Sequence, residues 1–560
     1  MTTHEPRCAQ ISLLTGQAET PPPATDALWA LGLSVLVFLL AHGGRLFNPF
    51  AINDDVRQQL YWMQRWLDPQ LYPPSLLNGY AQAYVSPGVK ALYGFASPFI
   101  GPLAFSKVLS GLLFVAQCLL VRGVGLRLGG RAVSWACMAM VWLMPFFIDN
   151  ISGGLARAFA SPLLALFVLL FLSGGWAMFA VLLQGLFIPY IGLPCFLAGG
   201  LCDAAKLFKG RLKPTPLWVL GWISALGGVA AAWWANAHVQ ELGFGPLVSL
   251  AETVGRPEFG PKGRLEIAPL PNPFLDFVYY PFEGVGLFKE FGLAAGIVTL
   301  VLLAPALWFG LRSINRKLLV KRLRPLWCVG TAFLLFYVAA RMVAFTLFLP
   351  DRYVQYPLNL LYALLLGVAL AGAWSRWVRP RGRAATAALI LLAALAGGAR
   401  LHNVALYDYS ALAGTYAAVE AATPKQAMIA GHPELMDNVM TFSRRNALAT
   451  FELSHVWSRG LWDQLQPRLE GFFTAYYSQD PADVAAFAKT WKVDFILVDP
   501  EHFSAHFLAG SPYFQPFGAA IKDMTRGRTR FALLDEAAFP RIPAGGGRFL
   551  VDVRAQHAAP

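Results

Sequence analysis

The sequence predicts a polytopic α-helical membrane protein of about eleven spans, followed by a mixed α/β domain. Three observations predict it. Hydrophobic residues make up 56% of the 560 residues and charged residues only 14%, where soluble domains carry about 25% charge. The apolar residues fall in blocks near the roughly 20 residues that cross a ~30 Å hydrocarbon core, and mean hydropathy is +0.49. From residue 401 onward the chain changes to mixed polarity with short apolar runs.

The spans read at 27–44, 105–122, 132–149, 155–173, 176–190, 191–205, 216–236, 290–311, 326–348, 356–375 and 384–400. Their direction follows from charge. Of the net +13, none belongs to the tail, because residues 400–560 carry 15 Lys/Arg against 16 Asp/Glu. The excess sits in four short connections: Arg122, Arg127 and Arg131; Lys206, Lys209, Arg211 and Lys213; Arg312, Arg316, Lys317, Lys321, Arg322 and Arg324; Arg376, Arg379, Arg381 and Arg383. The positive-inside rule places all four in the cytoplasm, which puts the amino terminus inside and the final domain outside, in the periplasm if the bilayer is a bacterial inner membrane. Segments 176–190 and 191–205 are read apart because merging them would turn the 312–324 cluster outward. Charge explained this way leaves no need for nucleic-acid binding.

Residues 1–26 contain Pro21-Pro22-Pro23 and no long apolar run. They read as a disordered cytoplasmic tail without the pattern of a secretory signal. Cys8, Cys118, Cys137, Cys195, Cys202 and Cys328 lie in this tail or in spans, so no disulfide framework or thiolate zinc site is expected in the outer domain.

Three outer connections are long enough to carry chemistry: 45–104, 237–289 and everything after 400. All lie on one face. In the first, Asn53 can cap a helix, Asp54 and Asp55 suit its positive end, and Val56, Leu60, Met63 and Leu67 recur at helical spacing. The predicted element is an amphipathic helix along the membrane surface, with Asp54, Arg57, Gln58, Tyr61 and Arg65 on its other face. Either the acids merely cap an interfacial anchor, or they present a carboxylate beside a basic residue to a lipid-linked substrate.

An uncleaved first span, an outer loop opening Asn53-Asp54-Asp55-Val56-Arg57-Gln58, many further spans and an outer carboxyl domain together resemble the C-type glycosyltransferase superfamily (GT-C). Within it, the likeness is to the protein O-mannosyltransferase and lipid A aminoarabinose transferase group. The resemblance implies the fold, a polyprenyl-phosphate-linked sugar donor, and a catalytic acid matching Asp54 or Asp55. It also implies a second acid where the third span meets the fourth, here Asp149, with Arg157 close behind in Gly153-Gly154-Leu155-Ala156-Arg157. An arginine-tyrosine stretch before a late span matches Arg352-Tyr353 as the donor-phosphate region. A divalent metal is an option where Asp54 or Asp55 and Asp149 converge, since relatives differ in metal need.

Other candidates come from residue chemistry. Arg341 reads as lying some seven residues inside the ninth span, about 10 Å deep, and needs an anion there, either phosphate or Asp351. Guanidinium forks suit phosphate oxygens, which makes Arg341, Arg352 and Arg157 the phosphate-binding candidates, with Lys90 after Ser86-Pro87-Gly88 as a helper. Arg57, Gln58, Tyr280 and Glu283 are candidate substrate contacts, although aromatics such as Tyr279 and Tyr280 also mark a membrane interface. In the final domain, 427–430, 494–498 and 531–534 read as strands and 483–492 as a helix. His432, Asp499 and His502 end two of those strands, either as loop residues or as a metal or acid–base group.

The expected activity is inverting transfer of a sugar from a polyprenyl-phosphate donor to a glycan, lipid or protein acceptor outside the membrane. A lipid or polysaccharide transporter and a noncatalytic envelope-assembly protein are the alternatives; a transporter would favour internal repeats and midplane charges.

Overall fold

The computed structural model describes residues 10–174, 176–279, 301, 304, 305 and 307–555. Among them, eight helices are long and apolar enough to cross a membrane: Ala24–Leu46, Pro102–Gly129, Ala156–Ser173, Pro189–Phe208, Pro216–Glu241, Arg316–Met342, Arg352–Trp377 and Arg383–Arg400. A ninth arises if Arg131–Leu143 and Pro145–Ile151, bent by 64° at their junction, form one broken span. Pro145 supplies the break, because it lacks the N–H that would continue the helix and biases Met144 to extended backbone.

Nine of the eleven expected segments correspond to these. The 176–190 segment is the 11-residue helix Ala177–Phe187, about 16 Å long at 1.5 Å per residue and half a hydrocarbon core. Nearly all of 290–311 lies outside the described residues. Small residues let the short helix approach its neighbour closely: a Cβ on Gly185 would stand 2.1 Å from the Gly228 carbonyl oxygen.

The expected free tail is packed from residue 10 onward. Strands β1 (Gln10–Ile11) and β2 (Ala18–Glu19) pair antiparallel. Leu13 is fully buried, and its carbonyl accepts from Asn315 N at 2.9 Å. Buried Asp26 accepts from Arg122, from Arg131 (2.8 Å) and from Trp135 Nε1 (3.0 Å). The head of the first span thus offers one carboxylate shared by Arg122 and Arg131, from the second and third spans.

The predicted surface helix of the first loop is also different. It breaks into Val56–Gln59 and a 3-10 segment Tyr61–Trp66. Val56, Leu60, Tyr61 and Met63 are fully buried. The final domain covers it: Gln64 Nε2 donates to Thr441 O (3.0 Å) and Tyr72 OH to Met440 O (2.8 Å). Strand β3 (Ala51–Ile52), just before, pairs with β4 (Tyr407–Asp408), just after the last span. Apolar residues here face protein on two sides, so one-sided amphipathicity misreads them as membrane-facing.

In the final domain, β5 (Met428–Gly431), β6 (Asn446–Ala447), β7 (Phe495–Val498), β8 (Arg541–Pro543) and β9 (Phe549–Asp552) form one sheet in the order β6-β5-β7-β9-β8. The first three are parallel and β9 and β8 add antiparallel. The predicted helix is Pro481–Trp491. The predicted strand at 531–534 is instead the 3-10 turn Ala532–Leu534. Phe531, Ala532 and Leu533 are all buried, and a short run without alternation does not distinguish a strand from a buried turn.

Candidate active site

The first loop and the broken span meet through backbone geometry. Asn53 Oδ1 accepts from Asp55 N (3.1 Å), closing a tight turn that holds the two acids side by side. Opposite it, Gly153 and Gly154 adopt φ of +91° and +60°, the left-handed region that glycine enters without strain. A Cβ on Gly153 would lie 2.9 Å from Asn53 Cβ. The glycine pair therefore lets the chain run against Asn53 and deliver Arg157 to the acids.

Arg157 Nη1 lies 2.5 Å from Asp55 Oδ2, Nη2 lies 3.9 Å from Asp54 Oδ1, and Nη2 donates to Asn53 Oδ1 at 3.1 Å. Asp55 Oδ1 accepts from Gln58 Nε2 at 2.6 Å, so both Asp55 oxygens are engaged. Asp54 differs. Its side chain is 40% exposed against 21% for Asp55, and its closest hydrogen bond is the Asp55 backbone N–H at 3.0 Å. Burial and the neighbouring Asp55 charge raise the Asp54 pKa, against the pull of Arg157.

Arg352, at the start of Arg352–Trp377, makes long polar contacts among the described residues, 3.4 Å to Gln355 Oε1 and 3.7 Å to Asp351 Oδ2, and lies within electrostatic reach of Asp55. Half-buried Tyr84 stands among the same groups. Its phenol is pushed up to about 12 by burial, with Asp55 adding and Arg157 and Arg352 opposing. Asp149 is exposed. It adds to the field at Arg157 but makes no ion pair among the described residues.

Several expected site residues lie elsewhere. Arg57 joins the final domain, donating to Asn438 Oδ1 (3.0 Å) and Glu452 Oε1 (3.1 Å) over the Tyr409 ring. Lys90 Nζ donates to Gln82 O (3.1 Å). Tyr353 is buried, its hydroxyl donating to Leu347 O and its ring stacked on Phe336, which spends its donor on packing. The helix that carries Arg341 ends at Met342, so Arg341 lies in its last turn. Its partner is Asp276 (3.2 Å), not Asp351, with Pro271 O at 2.9 Å. Tyr280 and Glu283 lie outside the described residues.

The acids do not form the metal cluster considered from sequence. Among the described residues no three His, Cys, Asp or Glu side chains converge, and the cation standing between Asp54 and Asp55 is the Arg157 guanidinium. In the final domain, the His432 and His502 rings meet at 4.4 Å, yet His432 bonds Pro512 O (2.9 Å) and Asp499 pairs with Arg548 (2.6 Å). Burial lowers both imidazoles, to about 3 and about 4. His432 is buried and His502 half-buried, and the Tyr476 hydroxyl meets His502 Nδ1 at 3.2 Å.

Sequence reading missed Tyr84, Asn150, Tyr190, Tyr356 and His455. Tyr356 OH donates to Asn150 Oδ1 (2.8 Å), and Tyr190 OH approaches Tyr356 OH at 3.3 Å. The available signals were the Gly153-Gly154 pair and the position of Asn150 beside Asp149; nothing in the spacing marked His455.

No family model matches the sequence, and no curated protein matches it. Solved structures of GT-C glycosyltransferases are similar to it. ArnT from Cupriavidus metallidurans in the apo state is 12% identical at a TM-score of 0.47, over 96% of this chain and 99% of that one. The same protein bound to undecaprenyl phosphate gives 13% and 0.46 over the same shares. The Archaeoglobus fulgidus oligosaccharyltransferase in complex with Zn and sulfate is 14% identical at 0.46, over 89% of this chain and 70% of that one.

Proposed function

We propose that this protein is a membrane glycosyltransferase that moves a sugar from a polyprenyl-phosphate donor to an acceptor hydroxyl on the periplasmic face, with inversion. The observation that carries the reading is the meeting of Asp54 and Asp55 with Arg157 beside the Gly153-Gly154 turn, with Arg352, at the head of a late span, within electrostatic reach of Asp55. Two acids and two guanidiniums match the two charge demands of the reaction, a proton to remove and a phosphate to release.

Asp54 is the general base. It is the more open carboxylate, and its raised pKa suits proton uptake. It takes the acceptor proton as the acceptor oxygen bonds to the anomeric carbon. The bond from that carbon to the phosphate oxygen breaks, and the electron pair leaves with the polyprenyl phosphate. Arg157 and Arg352 stabilise the developing phosphate charge. Asp55 holds Arg157 in place. An isoprenoid donor arrives already activated, so the site needs no nucleotide pocket.

The test uses purified protein in lipid nanodiscs with a panel of undecaprenyl-phosphate-linked pentoses and hexoses, scoring release of undecaprenyl phosphate. Asp54→Asn should lower turnover about 10²- to 10⁴-fold, the usual cost of losing a general base, with the fold retained. Normal turnover by a folded Asp54→Asn, Asp55→Asn double variant would show that neither acid is catalytic.

A further inference from the structure

A hydrogen-bonded chain runs from the candidate site into the final domain. Gln58 Nε2 donates to Asp55 Oδ1 (2.6 Å), Gln58 Oε1 meets His455 Nε2 (2.8 Å), and His455 Nδ1 meets Tyr80 OH (2.7 Å). All three linking side chains are buried: Gln58 at 6% exposure, His455 at 1% and Tyr80 at 2%. The His455 ring is fixed by stacking on Trp457 (4.3 Å) and by edge contacts to Tyr80 and Tyr84.

The direction of every proton follows from chemistry. A carboxylate only accepts, so the Gln58 amide must turn its N–H₂ to Asp55 and its oxygen to His455. His455 Nε2 must then carry hydrogen, and Nδ1 accepts from the Tyr80 hydroxyl. Burial drives the His455 pKa well below its ordinary value, in keeping with a neutral ring that has one donor and one acceptor.

This chain has a consequence at Arg157. With Oδ1 taken by Gln58, Asp55 engages Arg157 through Oδ2 alone, and Arg157 Nε is buried without a hydrogen-bond partner among the described residues. Were Oδ1 released, the carboxylate could close on the guanidinium as a two-pronged pair, the strongest arrangement for these groups. That pair would take two of the five guanidinium donors in addition to the one on Asn53, and so leave fewer for a phosphate.

We propose that Gln58 and His455 are positioning residues for a phosphate site: they hold Asp55 to one-oxygen contact with Arg157 and so keep its guanidinium open to an anion. The proposal rests on the donor-phosphate reading above. It also gives the final domain a part in the site, since His455 belongs to that domain and Gln58 to the first loop.

Undecaprenyl monophosphate is the probe, its affinity measured by titration calorimetry on full-length protein in detergent. Gln58→Met keeps the volume and removes both hydrogen bonds. It should weaken binding roughly 10-fold or more, the effect of one hydrogen bond to a charged group. His455→Phe should act in the same direction, and His455→Gln, which retains one donor and one acceptor, should recover wild-type affinity. The deciding measurement is in the Asp55→Asn background, where adding Gln58→Met should change affinity less than twofold because the carboxylate it restrains is gone. It decides whether or not His455→Phe folds. An equal loss in that background, or wild-type affinity in folded Gln58→Met, would overturn the proposal alone. Failure of the wild-type protein to bind undecaprenyl phosphate would overturn the donor reading together with it.

Discussion

Arg57 tests whether the first loop is clamped to the final domain or offers its guanidinium to substrate. Its bonds to Glu452 and Asn438, and its 4.6 Å approach to the Tyr409 ring, all reach the domain after residue 401. Arg264, from the second loop, also reaches Glu452 (3.5 Å) and donates to Phe451 O (3.1 Å). Asp437 accepts from Glu452 N (3.1 Å). Three separate parts of the chain are thus tied by two arginines and two acids. Arg57→Met keeps the aliphatic stem and strands Glu452 with only the longer Arg264 contact. Breaking a buried pair by removing one partner costs about 3–5 kcal/mol, and for a unit of this size that is roughly 6–20 °C in melting temperature. Burial raises the Asp437 pKa, and burial together with the Asp437 charge raises that of Glu452; Arg57 opposes both. Loss of Arg57 should therefore hurt more at pH 9, where both acids are ionised, than at pH 6. The assay is thermal unfolding in detergent followed by tryptophan fluorescence, with hydrogen exchange in Pro433–Phe442 as the local readout. Arg57→Met, Glu452→Gln should recover part of the loss, because no acid is left unpaired by Arg57. If Arg57→Met melts within about 1 °C of wild type at pH 9 and yet loses undecaprenyl phosphate binding, Arg57 is a ligand residue and the clamp argument is wrong.

Wild-type stability should itself fall as pH rises from the ordinary carboxylate range through neutrality, since acids with raised folded pKa values bind more protons folded than unfolded; Asp437→Asn should flatten that slope, and an unchanged slope would count against it. Arg341→Lys and Asp276→Asn should lower melting temperature alike while leaving undecaprenyl phosphate affinity within twofold, because each breaks one tether. A selective affinity loss in Arg341→Lys would return Arg341 to the phosphate site. Cysteines placed at 316 and 381 should resist membrane-impermeant labelling of intact cells while one at 526 reacts. Labelling at 316 would show that Ala177–Phe187 does not count as a full crossing.

The membrane class and most spans were legible in the sequence because hydrocarbon imposes a length and a polarity that composition reports directly. Groups close in sequence were legible too: Asp54 and Asp55 in one turn, Arg157 behind two glycines. What sequence could not show was partner choice. Arg341 read as a deep charge in want of an anion, but its helix ends at Met342 and its anion comes from Asp276. Arg57 read as a substrate contact, but Glu452 lies 395 positions away and across a domain boundary. The first loop read as lying on the membrane, because an apolar stripe has the same period whether lipid or protein covers it. Only the tertiary structure decided these points. Local periodicity records that a side chain must be buried or a charge compensated, whereas the identity of the compensating group depends on contacts between segments far apart in the chain.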